Sequence, residues 1–127
     1  MVRSTAARIH PWLAGLFALG VLLQAFLAGA ALPQLGGSGD FATHRDVGYT
    51  AMGILALLVL IAGGISRANR VQIWGSIALF VLYVVQTLLP PLAGSQPMLA
   101  ALHPANALIL FALAAWMFAH GRRATTT

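Results

Sequence analysis

"GDFATHRDVGYTAMG", residues 39–53, sets two aspartates, an arginine and a histidine directly ahead of a run that stays apolar to Ile65. Charges that stop this abruptly, with a membrane thickness of apolar residues behind them, mark a chain entering lipid. The rest of the sequence repeats the pattern. Apolar runs occupy about 11–32, 45–65, 71–89 and 103–120, each close to the roughly 20 residues that an α-helix needs to span a bilayer. With 60% hydrophobic and 7% charged residues and a mean hydropathy of +0.88, a soluble domain of 127 residues would leave much apolar surface in water. The length allows four spans with short connections and nothing more. The expectation is a single domain, 1–127, all-α: an integral membrane four-helix bundle running up, down, up and down.

The first run, WLAGLFALGVLLQAFLAGAAL (Trp12–Leu32), follows Arg3 and Arg8 and stops at Pro33. It is longer than the roughly 7–15 apolar residues of a signal-peptide core and is read as a mature helix. The third run stops at Pro90-Pro91, which cannot continue a hydrogen-bond ladder. The fourth opens at His103-Pro104, where proline suits a first helical turn, and closes at His120-Gly121 before Arg122, Arg123 and a mobile ATTT tail.

All seven basic residues are arginines. Arg3, Arg8, Arg67, Arg70, Arg122 and Arg123 fall at the termini and in the second connection, whereas Arg45 alone falls in the first. The positive-inside rule then places both termini in the cytoplasm, with His44 and His103 at the outer membrane face and His10 and His120 at the inner one. Arginines scattered in this way form no basic stripe, so the net charge of +5 implies no nucleic-acid partner. The absence of cysteine excludes disulfides, thiolate metal sites and covalent c-type haem attachment. Without glutamate or lysine, and with both aspartates outside the spans, general acid/base and nucleophilic catalysis lack parts. The glycines of GGSGD open no helix at a phosphate-binding spacing.

A faint internal repeat is present. "LLQAFLAGAALP" in the first run and "VVQTLLPPLAG" in the third each carry a glutamine, Gln24 and Gln86, near the outer end; each is followed by a glycine-containing loop and then a histidine, His44 and His103. In a four-helix bundle the second and fourth helices lie on a diagonal of roughly 12–14 Å. Two imidazoles and two metal–nitrogen bonds of about 2 Å nearly span that distance, which suits a bis-histidine haem. Gly48 and Ala51 below His44, and Ala107 below His103, leave room for a flat macrocycle. Arg45 is the outward cation for propionates, while Gln24, Gln86 and Asn106 suit the fixing of imidazole tautomers, with Tyr49, Tyr83 and Thr87 as weaker candidates. Other readings stay open: interfacial histidines, another metal or pigment, glutamines as interhelical hydrogen-bonding groups, and Arg45 with Asp40 and Asp46 as a solvated network. His10 and His120 are read as interfacial residues, and Trp12, Trp74 and Trp116 as interface anchors.

"THRDVGY", followed some sixty positions later by "LHPANALILF", resembles the four-helix repeat of the haem A synthase family and a group of small single-repeat bacterial membrane proteins with the same pattern. His44, Arg45 and His103 carry the likeness. The resemblance implies haem b with His44 and His103 as its axial (metal) ligands, in a bacterial inner membrane. The chain departs from the family in having one repeat instead of two, Phe41 in place of a glutamate three residues before the first histidine, and no outer cysteine pair. The expected function is a haem-binding electron carrier or cytochrome-like subunit, alone, as a homodimer or in a larger membrane complex. The alternatives are a cofactor-free accessory subunit of a respiratory or photosynthetic assembly and, third, a haem-modifying enzyme acting as a dimer.

Overall fold

The computed structural model describes residues 1–66 and 70–124; apart from short connections these are helical, with no strand among the described residues. The α-helices are α1 (Val2–Ala31), α2 (Ala42–Tyr49), α3 (Ala51–Ser66), α4 (Arg70–Leu88), α5 (Pro97–Ala100) and α6 (Leu102–Ala124). Four stretches are long and apolar enough to cross a membrane: Val2–Ala31, Ala42–Ser66, Arg70–Gly94 and Pro97–Arg122. Arg67, the side chain of Arg123 and the threonines of the carboxyl-terminal tail lie outside the described residues.

Two helices differ from the boundaries the sequence suggests. α1 starts nine residues before the first apolar run and carries Pro11 in its interior. Proline there costs a ladder bond and crowds the preceding turn. Packing holds the helix together across it: Pro11 is buried, and a Cβ added to Gly121 of α6 would lie 2.7 Å from the Pro11 Cβ. The second span is not one helix but two, parted at Thr50 (φ −89°, ψ −74°).

α1 and α4 each pack against both α3 and α6, so α3 and α6 face one another across the diagonal of a four-helix bundle. The buried positions follow helical spacing: Ala14, Phe17, Ala18 and Val21 on α1, Met52, Ala56 and Val59 on α3, Leu110, Ala114 and Met117 on α6. Alanine, glycine and serine dominate the seams, which lets helices approach closely without a hydrophobic force between them. Gly20, Gly63 and Gly75 sit against Met52, Ser76 and Met117 across those seams. The large apolar residues point the other way. Trp12, Leu16, Leu19, Phe26, Ile54, Trp74 and Leu108 are all exposed. In water so much exposed apolar surface would be an aggregation liability, whereas in a bilayer it is the solvated face. Small residues inside and large apolar ones outside are the pattern of a multi-pass membrane protein.

Candidate cofactor site

At one end of the bundle the chain enters α2 with Asp40, whose Oδ1 accepts from the Ala42 N–H at 2.8 Å. This satisfies one of the orphan donors at a helix start. One turn later, α2 presents His44 to the bundle interior. α6 begins at Leu102 with His103 in its first turn and Pro104 beside it. The two imidazoles come from opposite corners of the bundle, and their ring centroids lie 6.1 Å apart at 77°.

Each ring is held in the same way. His44 Nδ1–H donates to the Gln24 carbonyl at 3.0 Å, and His103 Nδ1–H donates to the Gln86 carbonyl at 3.0 Å. A carbonyl can only accept, so the backbone contact puts the hydrogen on Nδ1 and the lone pair on Nε2 at His103, and favours the same tautomer at His44. This is the outer-shell bond that metal-ligating histidines ordinarily make, and it fixes both tautomer and ring orientation. The repeat that was faint in the sequence therefore recurs as two equal hydrogen bonds.

The rings border a cavity of about 380 Å³, within the range of small-molecule and cofactor sites. Its floor is apolar: Phe17, Val21, Met52 and Leu110. Arg45, Tyr49, Phe41 and Pro90 form an exposed rim, while Gln24, Gly48, Tyr83, Gln86, Thr87 and Ala107 line its sides. Of the residues the sequence singled out, His44, His103, Arg45, Gly48, Gln24, Gln86 and Ala107 are thus brought together. Asn106 is not on the cavity wall. It is buried, and its Nδ2 donates to Gln86 Oε1 at 2.7 Å and to the Leu82 carbonyl at 2.9 Å, so it acts through Gln86. Ala51 is exposed; the position that closes the cavity beneath His44 and Gly48 belongs to Met52, four residues past Gly48.

The glutamine side chains are arranged differently. Gln86 Nε2–H donates to His103 Nε2 at 3.3 Å, a long bond that an axial metal would displace. With its amide oriented to satisfy its neighbours, Gln24 donates to the His44 carbonyl at 2.9 Å and to His44 Nδ1 at 2.8 Å and accepts from the Gly48 N–H at 3.1 Å, so that at His44 the amide and the Gln24 backbone carbonyl compete for one ring nitrogen.

The donor set fits a haem. Two metal–nitrogen bonds of about 2 Å, with roughly 1.1 Å from each ring centre to its nitrogen, put opposed axial imidazoles about 6 Å apart, centre to centre. No group of three or more His, Cys, Asp or Glu side chains able to hold a metal ion occurs among the described residues. A tetrapyrrole iron needs only the two axial ligands, since the macrocycle supplies the other four.

The other histidines stand apart. His10 is not interfacial: it is fully buried, and its Nε2 shares a 2.8 Å hydrogen bond with Ser76 Oγ, which itself donates to the Gln72 carbonyl at 2.8 Å. Gln72 and Ser76, four residues apart within an apolar run, were the signal for this interior polar seam. His120 is exposed, with Nδ1–H donating to its own helix at Trp116 (3.1 Å) and its ring 4.5 Å from the Trp116 ring. Trp12 and Trp74 are exposed, and Arg122 lies over the Trp12 ring at 5.1 Å. No protein-family model, curated protein or solved structure matches this chain.

Proposed function

We propose that this chain is a haem b-binding protein of a bacterial inner membrane, a single-repeat relative of the haem A synthases, with His44 and His103 as axial ligands near the outer leaflet. Its four spans run up, down, up and down with both termini in the cytoplasm. The arginine distribution supports that orientation, since Arg45 alone lies on the histidine side. The observation that carries the reading is the matched pair of Nδ1 contacts to the Gln24 and Gln86 backbone carbonyls, which leaves Nε2 as the nitrogen able to ligate a metal, at His103 in place of the Gln86 amide.

The residues have separable tasks. His44 and His103 hold the iron from the two diagonal helices. Phe17, Val21, Met52 and Leu110 exclude water from beneath it. Arg45 at the rim offers the cation that propionates need, and Asn106 keeps the Gln86 amide in place. A haem held by two strong nitrogen ligands supplies a one-electron couple, so the function is electron transfer, as a carrier or as a cytochrome-like subunit of a homodimer or larger complex.

One observation favours a second reading. The Gln86 amide already satisfies His103 Nε2, and 6.1 Å at 77° is also a comfortable edge-to-face packing of two rings. A cofactor-free accessory subunit of a larger membrane assembly would need nothing more. The deciding experiment is a reduced-minus-oxidised absorption spectrum of detergent-purified protein. Sharp haem bands that vanish in His44→Ala and in His103→Ala are expected; a colourless protein that purifies only with partner chains selects the accessory reading.

A further inference from the structure

An interruption in a membrane-crossing helix leaves carbonyls that must find donors from neighbouring helices, because lipid offers none. The chain interrupts its second span at Thr50, two residues past Gly48 and six past His44. There the Tyr83 hydroxyl reaches in from α4 and donates to the Gly48 carbonyl at 3.0 Å, with the Tyr49 carbonyl at 3.4 Å. The Asp46 carbonyl keeps its ladder bond from the Thr50 N–H at 3.0 Å and also accepts from Thr50 Oγ1–H, so it is the Gly48 and Tyr49 carbonyls that draw on the neighbouring helix. The Tyr83 ring is fixed edge-on to Phe17 (centroids 6.5 Å, 84°), which leaves its hydroxyl little freedom to aim elsewhere. The facing residue on α3 is Gly53, where a Cβ would lie 2.8 Å from that hydroxyl. Tyrosine and glycine are therefore matched across the α3–α4 seam at the level of the break.

We propose that Tyr83 is a positioning residue for the histidine pair: its hydroxyl holds the Gly48–Thr50 interruption in the geometry that aims α2, and with it His44, at His103. The haem assignment of the site is presupposed only for the spectroscopic part of the test. α2 is eight residues long and buries none of them fully, so its own packing does little to set its direction. Besides the Gln24 contacts, the ties from α4 are what orient it: Tyr83 on the Gly48 carbonyl and, more weakly, Tyr49 O–H on the Thr87 carbonyl at 3.4 Å. His103 has no comparable dependence, since α6 runs unbroken from Leu102.

The test compares wild type with Tyr83→Phe, which keeps the ring and removes the donor, and with Gly53→Ala, which displaces the hydroxyl. Amide hydrogen exchange in detergent micelles, without added haem, is expected to quicken about tenfold over residues 42–53 in both variants and to stay unchanged in α1 and α6. In haem-loaded protein both variants are expected to shift part of the absorption spectrum from the low-spin to the high-spin form, as His44 and not His103 lets go. Unchanged exchange over 42–53, or an equal rise along the whole chain, overturns the proposal whatever the spectrum does. Quickened local exchange in a chain whose wild type binds no haem leaves Tyr83 as the residue that orients α2 and removes the haem reading alone.

Discussion

The two ends of the bundle each bury imidazole, and they use it oppositely. At one end His44 and His103 are half-buried, give Nδ1–H to backbone carbonyls and face a cavity of about 380 Å³. At the other end His10 is wholly enclosed, bonds to Ser76, and has its Nδ1 without a partner. The same side chain thus borders a cavity in one place and is enclosed by packing in the other. What distinguishes them is the free volume next to the ring and which nitrogen is spoken for.

The comparison breaks most visibly under substitution of the rings themselves. His44→Ala or His103→Ala is expected to remove the sharp low-spin haem bands, since either change leaves the iron with one axial protein ligand. His10→Ala is expected to leave the spectrum unaltered while lowering thermal stability. Spectra and melting curves of the three variants side by side check this; loss of haem from His10→Ala with retention in His44→Ala would exchange the roles of the two ends.

A step down in size come changes at the packed end. Gly63→Ala would press a Cβ onto Ser76 Oγ and against the Gln72 carbonyl, forcing α3 and α4 apart. Overpacking of this kind costs about 1–3 kcal/mol. Ser76→Ala leaves the His10 Nε2–H without its acceptor, and a buried orphan donor likewise costs about 1–3 kcal/mol. Combining it with His10→Phe removes both polar partners and is expected to recover most of that loss, since replacing both partners by apolar groups of similar shape can be nearly neutral. A double variant no more stable than Ser76→Ala alone would show that the bond between His10 and Ser76 is not what stabilises that end.

Much of this was legible in the chain. The four apolar spans follow from run length, and the correspondence of Gln24 with Gln86 and of His44 with His103 from the repeat; that seven of the eight residues singled out line one cavity, and that backbone carbonyls of the two glutamines hold the rings, is what the structure adds. What escaped was tertiary. The apolar run begins at about residue 11, yet the helix starts at Val2 and carries Pro11 packed against Gly121. The sequence places Ala51 beneath His44, whereas Ala51 is exposed and Met52 lines the cavity. His10 looks interfacial because it stands at the end of an apolar run, while Ser76, the hydrogen-bond partner it meets in the interior, lies on α4 and more than sixty positions away.

The smallest expected effect is also the sharpest probe of whether the cavity end is built around space. Gly48→Ala adds one methyl on the cavity wall, with the Gln24 amide 3.4 Å from the new Cβ, an ordinary contact distance and not a collision. A helical glycine replaced by alanine gains about 0.5–1 kcal/mol from the stiffer unfolded chain, so the apoprotein is expected to hold its stability or rise slightly, in contrast to Gly63→Ala. The methyl nevertheless occupies volume one turn below His44. If that volume exists for a macrocycle, haem retention during dilution should weaken although the fold is no less stable, and this dissociation of stability from retention is what measured melting and haem-release rates would show. A Gly48→Ala protein that loses both together, as Gly63→Ala is expected to lose stability, would mean that the two ends are packed alike and that the glycine serves helix contact and nothing else.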